Sequence, residues 1–124
     1  MVNNRDDDAR PHEGNPGDRS AIIAQLNDDF RTGEGSGRLA ITQGVLALGN
    51  AEAVRVLAAV RAFDSFSSDN DPHGEHDFGA IDRDGTLIFW KIDYYDVDLR
   101  CGSPDPADVN VTTRVLTVML ADEY

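Results

Sequence analysis

The stretch Ile81-Asp82-Arg83-Asp84-Gly85-Thr86-Leu87-Ile88-Phe89-Trp90-Lys91-Ile92-Asp93-Tyr94-Tyr95 decides the fold. From Thr86 onward β-branched and aromatic side chains predominate, and these fit a pleated surface better than a helix. Asp84-Gly85 is turn chemistry, because glycine adopts the left-handed conformation without steric cost. His76 to Asp82 and Thr86 to Asp96 are therefore predicted to form an antiparallel hairpin, closed by the three-residue loop Arg83-Asp84-Gly85. In that register Ile81 faces Leu87, Gly79 faces Phe89 and Asp77 faces Lys91. Alternation then groups Phe78, Ala80, Ile88, Trp90 and Ile92 on a core face, with His76 at its margin near Tyr94. Glu75, Asp77, Lys91, Asp93 and Tyr95 take the other face, where Asp77 and Lys91 form a cross-strand ion pair. A slip of one residue would exchange the faces.

Working outward, residues 1–19 hold Asp, Asn, Arg, Gly and Pro with almost nothing apolar to bury, which predicts a disordered acidic tail. Residues 20–124 form the single domain. Ser20 is placed to cap a first helix with Ile22, Ile23, Leu26 and Phe30 on one stripe. The glycine-rich Thr32–Gly37 segment ends it. Arg38–Thr42 reads as a short strand, and Gln43–Gly49 as a turn or short helical piece. Asn50 is expected to cap a helix from Ala51 to Phe63, with Val56, Leu57, Val60 and Phe63 inward. Asp64–Gly74 is a polar loop, and residues 97–108 form a second loop rich in Pro and Asp. Val111, Val115, Leu116, Met119 and Leu120 recur with helical spacing, so a last helix is expected from Asn110 to Ala121. The order is α-β-α-β-β-α: an α+β fold with a three-stranded, mainly antiparallel sheet covered by helices on one face.

Twenty-three acids oppose ten arginines and the single lysine, Lys91, for a formal net charge of −12. Phosphates would be repelled over such a surface, so direct nucleic-acid binding is not expected. A basic protein partner is compatible with it. Cys101 is the only cysteine, which excludes an internal disulfide. No signal-peptide h-region and no membrane-length apolar run is found, so the expected location is cytoplasmic, without a membrane partner.

The densest candidate for chemistry is Asp69-Asn70-Asp71-Pro72-His73-Gly74-Glu75-His76-Asp77. Histidines among carboxylates suit a divalent metal or acid–base work. Known templates fail: an EF-hand begun at Asp69 would have Ala80 where a bidentate Glu belongs, and the zinc-deaminase pattern lacks its cysteine pair. The strand spacing puts His73, Glu75 and Asp77 on one face with Asp93 opposite. A metal site, if formed, would use those four and hold manganese, magnesium or zinc. The competing reading is turn chemistry, with His76 as a hydrogen-bonded histidine at the core margin. In Asp93-Tyr94-Tyr95-Asp96, Tyr94 is expected inside and Tyr95 outside, and tyrosines flanked by acids suit protein recognition.

The strings Asn70-Asp71-Pro72-His73-Gly74-Glu75-His76-Asp77-Phe78-Gly79 and Phe89-Trp90-Lys91-Ile92-Asp93-Tyr94-Tyr95-Asp96 resemble a known family, as do Gly102–Pro106 and Thr112–Thr117. The family is the small bacterial domain of unknown function numbered 3768. The resemblance covers nearly everything after residue 20. It implies no assigned activity, catalytic residue or cofactor, and it implies a setting on plasmids and other mobile DNA.

Two functions from different classes follow. One is a non-enzymatic factor that binds the basic surface of a nucleic-acid-handling (defence) protein as a charge mimic, through Asp69, Asp71, Glu75, Asp93, Tyr95, Asp96 and Asp98. The other is a metal-dependent, hydrolase-like enzyme using His73, Glu75, His76, Asp77 and Asp93. An enzyme needs these groups to converge in a pocket; a mimic needs them spread over a surface.

Overall fold

The computed structural model describes residues 16–124. The tail expected at 1–19 lies, for residues 1–15, outside the described residues, while residues 16–19 are helical. The elements are α1 (Pro16–Thr32), β1 (Arg38–Ile41), α2 (Gln43–Leu46), α3 (Asn50–Ala62), β2 (Phe78–Arg83), β3 (Thr86–Tyr95) and β4 (Thr113–Leu120), with short 3-10 turns at Val109–Val111 and Ala121–Glu123. The sheet has four strands in the order β1-β4-β3-β2. β4 runs antiparallel to β3 and parallel to β1, so the sheet is mixed.

The α+β class stands, and the three-stranded antiparallel sheet is corrected. The expected last helix, Asn110–Ala121, is strand β4. Its apolar residues satisfy a helical period, but Val111, Thr112, Thr113, Val115, Thr117 and Val118 are β-branched, and eight consecutive pairings to β3 satisfy the backbone. Arg114, Leu116 and Val118 alternate into the buried face. The strand completes the sheet by linking the hairpin to β1.

The hairpin is present with a register shifted by one residue. Arg83 pairs with Thr86, Ile81 with Ile88, Gly79 with Trp90 and Phe78 with Lys91. Asp84 and Gly85 both have positive φ, 53° and 91°, the signature of a two-residue type I′ turn whose twist matches the strands. The shift moves Phe78 and Ala80 to the face away from the helices. There Phe78 packs edge-on against Phe89, with Tyr124 against both. Asp77 does not pair with Lys91. Its carbonyl accepts from Ile92 N–H at 2.8 Å, and Lys91 instead contacts Asp93 at 2.9 Å.

Ile88, Trp90 and Ile92 of β3 meet Leu116 and Val118 of β4 in the core, under Val45 of α2 and Ala53, Val56 and Val60 of α3. Trp90 is wholly buried. Gly79 is required opposite it, because a β-carbon there would run into the indole nitrogen. α3 starts at Asn50 with Gly49 as its cap, in place of the expected Asn50 cap. α1 starts four residues before Ser20, and Arg19 in its first turn reaches Asp105 at 2.8 Å. Its inward stripe is Ile23, Asn27 and Arg31, spaced four apart, while Ile22 of the expected stripe is half exposed. Two of those three inward positions are polar.

Candidate functional site

Asn27 is fully buried, and every hydrogen bond of its side chain ties α1 to another element. Its amide donates to the Glu75 carbonyl at 2.9 Å and to the Tyr94 hydroxyl at 2.9 Å, and its oxygen accepts from Arg114 Nε at 2.7 Å. The Tyr94 hydroxyl in turn donates to the Glu75 carboxylate at 2.9 Å. Burial pushes that hydroxyl far above the ordinary tyrosine range, the Asn27 bond opposes the rise, and the neighbouring Glu75 charge adds to it. Tyr94 is therefore a neutral donor at any physiological pH. Arg114 lies over the Tyr94 ring and also donates to the Pro106 carbonyl, which anchors the loop before β4.

One helical turn on, Arg31 caps α3. Its guanidinium donates to the Val60 carbonyl at 2.8 Å and the Arg61 carbonyl at 3.3 Å, at the negative end of that helix. Asp28 accepts from Arg31 at 3.1 Å, and both its oxygens lie 3.0 Å from His76 Nδ1. His76 has a positive φ of 56°, and its N–H donates to the Asp71 carboxylate. Its ring stacks flat on Phe66 at 3.9 Å, and its other nitrogen stands 3.7 Å from Asp71. The imidazole is thus bracketed by two carboxylates. It bolts the loop of residues 64–77 onto α1. Asp77, half buried, is held above the ordinary carboxylate range by burial and then by the Glu75 charge.

The sequence-predicted residues divide accordingly. Asp71, Glu75 and His76 belong to this internal network. Asp96 closes a turn, accepting the Arg100 N–H at 3.0 Å. Asp93 and Tyr95 lie on the uncovered sheet face. Asp69, His73 and Asp98 are exposed. The shifted register separates Asp93 from Asp77, which falls on the opposite face. Among the described residues no group of three or more His, Cys, Asp and Glu side chains is placed to hold a metal ion. Sequence reasoning missed Asn27, Asp28, Arg31, Phe66 and Arg114. A signal for two of them exists: Asn27 and Arg31 fall four and eight residues after Ile23, on a stripe that should be apolar.

Topology sets the loops at one end of the sheet. The start of β2, the end of β3 and the start of β4 are adjacent, so loop 64–77 and loop 96–112 lie at the same end of the sheet. Loop 64–77 carries five acids and no Lys or Arg. No described helix is long and apolar enough to cross a membrane.

Together these features define a class: an α+β domain with a mixed four-stranded sheet, helices on one face, and an acidic loop end braced by a buried polar network. The chain belongs to the family described as "Protein of unknown function (DUF3768)", whose model matches residues 41–123. No curated protein and no solved structure matches it. α1 and nearly all of β1 precede the matched segment, so the braces Asn27, Asp28 and Arg31 come from outside it.

Proposed function

We propose that the chain is a non-enzymatic acidic binding module. It docks the basic surface of a nucleic-acid-handling protein by presenting carboxylates where that protein expects phosphates. One observation supports this reading: most cations are engaged internally while several acids at the loop end are not. Arg31 and Arg114 are buried, and Arg19, Arg55, Arg83 and Lys91 each sit beside a carboxylate. Of the other Lys and Arg side chains among the described residues, Arg38, Arg61 and Arg100 make no ion pair. Asp64, Asp69 and Asp98 are exposed, and their side chains make no hydrogen bond within the described residues. Loop 64–77, with five acids and no Lys or Arg, then concentrates negative potential at that end, which raises encounter rates with a basic partner. The cytoplasm and a mobile-element setting are part of the same proposal.

The test is capture at low salt on the immobilised chain, followed by elution with salt or with duplex DNA. Both should release the bound protein. A bound protein indifferent to both contradicts the reading.

A further inference from the structure

β2 is one edge of the sheet. The Asp77 carbonyl accepts from Ile92 N–H, so these two residues form a hydrogen-bonded pair of the ladder, and alternation makes Gly79, Ile81 and Arg83 the next bonded positions. The N–H and C=O groups of Phe78, Ala80 and Asp82 therefore point away from β3. None of these backbone groups has a hydrogen-bond partner among the described residues. Proteins usually guard such an edge with a lysine, a proline or a bulge, because bare strand groups template the addition of another strand. β2 has none of the three. Its two charges are turned back on their own chain: Asp82 accepts the Gly85 N–H at 2.7 Å, and Arg83 holds Glu52 of α3 through Nε and Nη2 at 2.9 and 3.1 Å. The other edge, β1, has only four residues and begins at the exposed Arg38.

The strand is also complementary to itself. Laid antiparallel against a second copy with Ala80 opposite Ala80, Phe78 meets Asp82, Gly79 meets Ile81 and Asp77 meets Arg83. This register brings every outward N–H and C=O of the strand into a bond and places no like charges opposite each other. Both charged positions are open for the contact. The Asp77 carboxylate is half buried, and no hydrogen bond or ion pair joins it to another described residue. Glu52 leaves Nη1 of Arg83 free. Sliding the register by two residues, the smallest step that keeps the bonding pattern, separates Asp77 from Arg83.

We propose that β2 pairs with β2 of a second copy of this chain, giving a twofold dimer with one continuous eight-stranded sheet and an Asp77–Arg83 contact at each end of the seam. The pairing does not depend on the docking reading, which calls for a basic partner.

The test is sedimentation velocity on the full chain, from micromolar concentration up to roughly 1 mM. The buffer holds about 0.5 M salt, so that repulsion between two copies of charge −12 is screened. A monomer–dimer equilibrium is expected. Ala80→Pro should abolish it and keep the wild-type circular dichroism spectrum, because an outward N–H on an edge strand is removed without breaking a bond inside the domain. Cross-linking decides independently of how the proline variant folds. Ala80→Cys in a Cys101→Ser background should join to a second copy through a short bis-maleimide, and Ala40→Cys at the β1 edge should not. A chain that stays monomeric at roughly 1 mM would overturn the proposal. So would a dimer that a folded Ala80→Pro variant leaves intact, or cross-linking no more efficient at position 80 than at position 40.

Discussion

Replacing Asn27 by Leu probes the brace that holds three elements together. Leucine approximates the volume and keeps helix propensity, so the loss is one of hydrogen bonds rather than of packing. Three bonds disappear: to the Glu75 carbonyl, to the Tyr94 hydroxyl and from Arg114 Nε. At about 1 kcal/mol net each they account for roughly 3 kcal/mol. Arg114 Nε is also left inside without a partner, and stranding a buried charged donor adds about 1–2 kcal/mol. The expected cost is therefore about 4–5 kcal/mol, a large share of the 5–15 kcal/mol typical of a domain. For a domain near 100 residues that is a fall of roughly 16–20 °C in Tm, at about 4 °C per kcal/mol. Urea unfolding followed by Trp90 fluorescence and by circular dichroism gives the number. A cost below about 1 kcal/mol would refute the reasoning, because it would mean water or a neighbour satisfies these groups as well as Asn27 does.

Asp77 has its carboxyl pushed above the ordinary value, so the folded state holds its proton to higher pH than the unfolded chain does. The folded state then binds more protons across that interval, stability falls as pH rises through it, and the penalty is complete above the folded value. Asp77→Asn should accordingly raise Tm at neutral pH, with the gain fading as pH falls through the raised folded value and absent below about pH 4, where both states are protonated; an absent gain at pH 7 contradicts the burial argument. Gly79→Ala should cost about 1–3 kcal/mol, since its β-carbon meets the Trp90 indole and only overpacking can accommodate it; a neutral result would show that the indole moves freely. Trp90→Ala should cost about 3–5 kcal/mol by cavity formation, and in the wild type its emission should be blue-shifted and poorly quenched by iodide.

Local patterns make much of the fold legible. The β2–β3 hairpin, the short β1, α3 and the inward Tyr94 are all readable, because propensity, turn residues and spacing agree at each. The register is off by a single residue: Asp84-Gly85 suits both a three-residue loop and a type I′ pair, and only two positive φ values distinguish them. β4 reads as a helix because its apolar residues fit both periods, and β1, on its far side, lies distant in sequence. That pairing is tertiary, and composition within the segment cannot reveal it. The acidic loop residues stand out as a group in the sequence, but their division into braces and free surface does not. That division depends on Asp28 and Asn27 arriving from α1, more than forty residues earlier. Polar residues on a helix stripe expected to be apolar are the one clue, and they mark the buried network.

That the free carboxylates at the loop end form a docking surface is tested most directly by the affinity of a captured partner for wild type and for Asp64→Asn/Asp69→Asn/Asp98→Asn, at two salt concentrations. These side chains make no internal bonds within the described residues, so the variant should melt at the wild-type temperature. Weaker binding is predicted in the variant, chiefly through a slower association rate, with a shallower salt dependence than wild type. Equal affinity and equal salt dependence in the two proteins would contradict the docking surface.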